Sequence, residues 1–179
     1  MKLKAFFFEI LPITIFFILA QYQSIILAAL ISFIFCLIVL IFFFLLEKRI
    51  AKFQIFSIGL SGILTLLAYY FNEEIFVKIK PTIYNGLFSI VLLVGLIFKK
   101  AMMKQFFGSQ FFLTEQTWFL LSLRWGLFFG FLTIANEIIW RNYSTEEWVF
   151  VKVFILFPLV GIFMLAQLPL TLRGRIKSD

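Results

Sequence analysis

Between Gln23 and Glu47 the chain runs SIILAALISFIFCLIVLIFFFLL without a single charge. This length constrains the fold more than any other feature. A helix rises about 1.5 Å per residue, so some 20 apolar residues cross a hydrocarbon core of about 30 Å. A soluble helix of this composition would have no polar face to offer water. Five further segments meet the same length test, so the candidate spans are residues 4–20, 24–46, 51–71, 82–98, 118–140 and 149–170. Backbone groups in lipid must be satisfied within the protein, as they are in a helix. The expected fold is all-α: a polytopic transmembrane helix bundle of about six spans, forming one integral membrane domain over residues 1–179. Composition agrees, with 63% hydrophobic and 14% charged residues, against about 45–50% and 25% in soluble domains.

The opening residues, MKLKAFFFEILPITIFFILAQ, resemble a signal sequence but lack a small-x-small cleavage site before Gln21 and carry Glu9 and Pro12 within the apolar part. They are expected to be a retained anchor. The basic residues test the span count. With the N-terminus cytoplasmic and six spans, Lys2, Lys4, Lys48, Arg49, Lys52, Lys99, Lys100, Lys104, Arg173, Arg175 and Lys177 fall on the inner side. The outer loops then hold Lys78, Lys80, Arg141 and Lys152, and Arg124 alone lies in the membrane, which completes the 16. Lys and Arg collect in cytoplasmic loops, so both termini are expected to be cytoplasmic. Five spans is the rival count, and it would put Lys2 and Lys4 on the disfavoured side. The basic face has no soluble domain to present a groove-reading element. It points to anionic lipid and not to nucleic acid.

The chain contains no His and one Cys, Cys36. The commonest general base and metal ligand are thus missing, and the usual zinc spacings cannot be built. No catalytic residues, cofactor or metal are expected. An enzyme would have to draw on Glu73, Glu74, Glu137, Glu146 and Glu147 toward the outer face. Residues 99–116 form the longest break between spans, and their interleaved Met102, Met103, Phe106, Phe107 and Lys100, Lys104, Gln105 suit a cytoplasmic amphipathic segment ended by Gly108. Gly126 and Gly130 on the fifth span and Ser57, Ser61 and Thr65 on the third recur every four residues, the spacing of helix-packing stripes. Trp118 and Trp125 toward one end of the fifth span, with Trp140, Tyr143 and Trp148 at the other, read as aromatic belts.

Charges inside a span are costly and call for partners. Arg124 and Glu137 share one helix but stand about 20 Å apart along it, too far to pair. The expected partner of Arg124 is Glu9, and that of Glu137 is Arg141, Lys152 or Lys80. Glu9, Lys80, Asn85, Arg124, Asn136, Glu137, Arg141 and Lys152 are therefore the candidate polar or interaction residues.

Glu9-Ile-Leu-Pro12, Lys80-Pro81-Thr82 with Tyr84, and Arg124-Trp125-Gly126 with Phe128-Phe129 occur in order along the chain. Ala135-Asn136-Glu137, Trp140-Arg141, Trp148-Val149 with Lys152-Val153-Phe154, Pro158-Leu159, and Gln167 with Pro169 follow. In this order and spacing the sequence resembles the intracellular septation protein A family over essentially its whole length. Asn85 and Gly86, where bulkier apolar residues are more usual, and the richness in phenylalanine are departures. The resemblance implies a multi-pass protein of the bacterial cytoplasmic (inner) membrane that supports septation, envelope integrity and membrane homeostasis. It implies no catalytic mechanism. The expected partners are the lipid bilayer and division or envelope-synthesis membrane proteins. The alternative is a small transporter or lipid-handling protein in which Glu9, Asn85, Arg124, Asn136 and Glu137 face one polar cavity.

Overall fold

The computed structural model describes Leu11 and residues 14–47, 52–108 and 111–176. Glu9 lies outside them, and so does the expected Glu9 to Arg124 pair. Among the described residues the regular structure is helical, joined by short turns, apart from an isolated bridge between Leu113 and Arg175. Four stretches are long and apolar enough to cross a membrane: Ile25–Leu46, Ile75–Ile97, Glu115–Asn142 and Thr145–Arg173. Ile58–Phe71 is a shorter apolar helix. Large Leu, Ile and Phe side chains are exposed along these helices, a surface suited to lipid. The chain divides into two compact units, Met1–Lys80 with Ser144–Val149, and Pro81–Tyr143 with Phe150–Asp179.

In the first unit, α1 is described over residues 14–22 and α2 spans Ile25–Glu47. α2 begins after Ser24, whose Oγ accepts from the Leu27 N–H at 3.3 Å, an N-terminal cap. α3, Lys52–Phe71, packs on α2 through small residues: a Cβ on Gly62 would stand 2.7 Å from the Phe33 ring, and Ala28 and Ala68 are completely buried. α3 stops at Asn72, whose φ of 54° is the left-handed conformation that asparagine tolerates better than most residues. The short α4, Ile75–Lys78, follows, with Glu74 bonded to Lys78 at 2.9 Å and accepting from the Thr145 hydroxyl. Ser144 and Glu147 cap each other's backbone N–H at the start of α8, Thr145–Val151, the reciprocal arrangement of a capping box. Trp148, read from sequence as part of an aromatic belt, is buried at 1% exposure.

The second unit is built around α7, Glu115–Asn142, capped by the Thr114 hydroxyl. α5, Lys80–Ile97, begins with Lys80 and Pro81, where the missing proline N–H costs no helical hydrogen bond. α6, Met102–Phe107, is a single short helix within the connection, and its Met103 N–H donates to Ser122 Oγ at 3.2 Å. After α8 the helix takes a π turn at Lys152–Leu156 and continues as α9, Phe157–Ala166, and α10, Leu168–Arg173. Phe128 stacks on Phe163 of α9 with ring centroids 3.9 Å apart, and Trp125 meets the same ring edge-on at 5.0 Å. Trp118, expected in a belt, is instead buried with Leu113 and Leu121 against Ala101, Met103, Trp125 and Leu170. Indole area sheltered by these neighbours gains more from packing than from an interface.

Candidate functional site: a polar network between two apolar helices

One antiparallel register sets the site. Ser89 of α5 donates to the Gly126 carbonyl of α7 at 2.8 Å, and its Oγ lies 3.1 Å from where a Gly130 Cβ would stand. A Cβ on Gly126 would lie 2.7 Å from Leu93, so the missing side chain is what lets the backbones approach. Further along, Gly86 faces Thr133. The same register brings Thr82 opposite Asn136 and Glu137.

There the polar side chains connect. Asn136 Nδ2 donates to Thr82 Oγ1 at 2.9 Å, and the Thr82 hydroxyl donates to Glu137 Oε1 at 2.7 Å. Trp140 Nε1 donates to the same carboxylate oxygen at 2.9 Å, and Arg141 Nε donates to Oε2 at 2.8 Å. The Arg141 guanidinium also lies over the Trp140 ring, 4.5 Å from its centroid. Asn136 is 1% exposed and the Glu137 side chain 26%, while that of Arg141 is 61% exposed. Each oxygen of the acid thus has a donor, and its charge has a cation one helical turn away. A partly buried polar network of this kind favours one helix arrangement, because breaking the bonds at the buried Asn136 end leaves its partners unpaired.

The remaining candidates fall elsewhere. Arg124, exposed on α7, donates from Nη1 to Gln167 Oε1 at 3.3 Å, and the Gln167 amide donates to the Phe163 carbonyl at 3.1 Å. Asn85 is half-buried one turn beyond Thr82 on α5, and Lys152 is half-buried at the start of the π turn. Lys80 extends its ammonium to Ser61 Oγ at 2.8 Å and Thr65 Oγ1 at 3.2 Å, within the first unit. Of the eight residues singled out from sequence, the structure brings Asn136, Glu137 and Arg141 together. Thr82, Ser61, Thr65 and Gln167 complete the polar contacts without having been singled out as binding residues. Ser61 and Thr65 carry a signal in their four-residue spacing, which by itself indicates helix packing. Glu74 lies outside the spans. Burial raises its carboxyl, but hydrogen bonds from Thr145 and Lys78 and the Lys78 charge outweigh this and hold it below the ordinary 4.5. Among the described residues, no three His, Cys, Asp or Glu side chains gather as a metal site would require.

A family model described as intracellular septation protein A matches residues 3–177. The chain belongs to that family. Inner membrane-spanning protein YciB of Brucella suis biovar 1 (strain 1330) is 47% identical over 123 residues, covering 66% of this chain and 62% of that protein. The YciB proteins of Brucella anthropi and Mesorhizobium japonicum are 43% and 45% identical, over 66% and 65% of this chain and 56% and 51% of theirs. The matched region therefore spans only half to three-fifths of the length of these relatives. No solved structure matches the chain. With its apolar helices, membership places the protein in the inner membrane as a multi-pass protein, and the family's name ties it to septation. Neither the family's name nor that of these relatives denotes an enzyme.

Proposed function

We propose that this is a non-enzymatic inner-membrane protein that supports septation, envelope biogenesis and membrane homeostasis through contacts with lipid and with division or envelope-synthesis membrane proteins. The observation that carries the reading is the state of Glu137. This acid within a span has both oxygens occupied by donors from its own chain, as a fixed structural anchor requires. The cavity alternative asks Glu9, Asn85, Arg124, Asn136 and Glu137 to converge on one opening. Arg124 instead has its own contact at Gln167, about 20 Å from Glu137 along α7.

Complementation in a deletion strain tests the proposal. Thr82→Val and Glu137→Gln are expected to lower protein abundance, with septum placement and envelope integrity declining in proportion. A variant at full abundance that loses function while one envelope precursor or lipid accumulates would overturn the proposal in favour of transport or chemistry.

A further inference from the structure

The network around Glu137 balances its charge internally, whereas the polar cluster of the first unit does not. Lys80 stands at the start of α5, within the apolar stretch Ile75–Ile97, and directs its ammonium to the hydroxyls of Ser61 and Thr65 on α3. Among the described residues Lys80 makes no ion pair. Both its partners are neutral, and Thr65 is fully buried.

The donors and acceptors can be counted. An ammonium has three N–H groups, of which two go to Ser61 and Thr65. Each hydroxyl accepts through its oxygen and keeps its O–H to donate. A further hydroxyl, Ser32, precedes Phe33 on α2, and the Phe33 ring packs against Gly62, the residue after Ser61. Ser32 is 8% exposed, and its Oγ is the one buried side-chain polar atom without a hydrogen-bond partner among the described residues. The level of Ser61 and Thr65 thus holds one full positive charge and several unused donors. Among the described residues this set has no carboxylate, and the titratable neighbour close enough to interact with Lys80 is the Cys36 thiol. Lys80 is only half-buried, so its ammonium is sheltered without being sealed off.

We propose that Lys80, Ser61 and Thr65 form a binding site for a phosphate-class oxyanion, carried on a lipid headgroup or free in solution, with Ser32 supplying an additional donor. A phosphate monoester presents several acceptor oxygens around one centre, which matches donors converging from α3, α5 and α2, and lysine meets phosphate as a point charge. An anion here also relieves the expense of a cation within an apolar span. The site is separate from the Thr82, Asn136 and Glu137 network and goes beyond the proposed function, naming a ligand class that the reading does not require.

The test uses the full-length protein in phosphatidylcholine nanodiscs, with phosphatidic acid added in one arm and inorganic phosphate in another, read by thermal midpoint and by lipid retained in native mass spectrometry. Phosphatidic acid is expected to be retained about tenfold over phosphatidylcholine, equivalent to about 1.4 kcal/mol, and to raise the midpoint. Ser61→Ala with Thr65→Val should abolish most of this preference, Lys80→Met all of it, and Lys80→Arg should keep it. The hydroxyl variant and the arginine variant keep the test decisive if Lys80→Met does not fold. A midpoint shift with inorganic phosphate alone that depends on Lys80 identifies a soluble oxyanion, and a response confined to phosphatidic acid identifies the lipid. The proposal fails if neither anion is preferred. It also fails if the preference survives Ser61→Ala with Thr65→Val but falls when Lys99 and Lys100 are changed to Gln, which would place binding on the general basic surface.

Discussion

The two ends of α7 carry opposite charges and solve the problem of an intramembrane charge in different ways. At the C-terminal end, Glu137 accepts from Thr82, Trp140 and Arg141, and is held by two helices. Toward the N-terminal end, Arg124 makes one long contact of 3.3 Å to a neutral amide and stays exposed. A carboxylate is short and must be met where it stands, whereas a guanidinium on a long stem can reach polar surroundings while its methylenes stay in the apolar layer. The acid is pinned in place, whereas the arginine side chain is only loosely tethered.

The strongest way to break this contrast is to disturb both ends together from the middle. Gly126→Leu places a Cβ 2.7 Å from Leu93 and 3.3 Å from Leu92, at the residue whose carbonyl accepts from Ser89. Overpacking alone costs about 1–3 kcal/mol, and losing the register should add to it, so the folded protein is expected to fall sharply in detergent thermal-stability assays. Gly161, whose Cβ would meet nothing within 4 Å, is the control, and Gly161→Ala should leave the midpoint unchanged. Equal losses at both glycines would show that any added side chain on these helices, and not the α5 to α7 approach, is responsible, since helix propensity alone favours both changes.

Next in size is the pinned end itself. Asn136→Leu keeps the volume but removes the donor to Thr82 at a site 1% exposed. The disrupted chain should cost about 1–3 kcal/mol, the usual range for a buried group left unpaired. Combined with Thr82→Val, the loss should be less than the sum of the two single changes, since both remove the same bond. Strict additivity would mean that the network does not act as a unit.

These residues also show what was legible in advance. The apolar runs announced the helical membrane fold because hydropathy over about 20 residues is a local property. The Glu137 to Arg141 pair was legible for the same reason, since i and i+4 on a helix are neighbours. Thr82 was not, because its link to Asn136 joins positions 54 apart in sequence, and an uncharged hydroxyl gives no hint of its partner. Gln167 is not legible as a partner of Arg124, because a neutral amide carries no charge complementary to a guanidinium. Lys80 was read as an outer-loop residue, yet α5 already includes it, with Pro81 in the first turn. Trp118 and Trp148 looked like belt residues by position, but only packing decides whether an indole at a span end faces the interface or the interior.

A smaller effect is expected at Glu74, a carboxylate outside the spans that provides a reference for Glu137. Its carboxyl is held below the ordinary 4.5, with burial opposed by the hydrogen bonds from Thr145 and Lys78 and by the Lys78 charge. A depressed folded-state value contributes stability above the unfolded value and loses it as pH falls through the folded one. The side chain is 40% exposed, so solvent screens most of the pair. Glu74→Gln should therefore lower the thermal midpoint slightly at pH 7, and the difference from the parent should shrink below the ordinary 4.5 and vanish once pH has fallen through the lower folded-state value. A difference that persists in acid would assign the effect to the Thr145 hydrogen bond rather than to charge.

The smallest effect should come from the tethered end. Gln167 is 7% exposed and also bonds the Phe163 carbonyl, so Gln167→Leu removes two contacts, yet Arg124 can turn to headgroups or water once released. A solvated arginine has little to lose, and Arg124→Gln is expected to change stability by no more than about 0.5 kcal/mol, the range for surface positions. Stability measured for both variants in parallel decides the matter. If Arg124→Gln proves as damaging as Asn136→Leu, the arginine has a partner as demanding as the Thr82 network, and Glu9→Gln should then reproduce the loss. If it is harmless while Gln167→Leu is not, the glutamine matters for its bond to the Phe163 carbonyl in the last turn of α9, and the arginine is held by lipid alone.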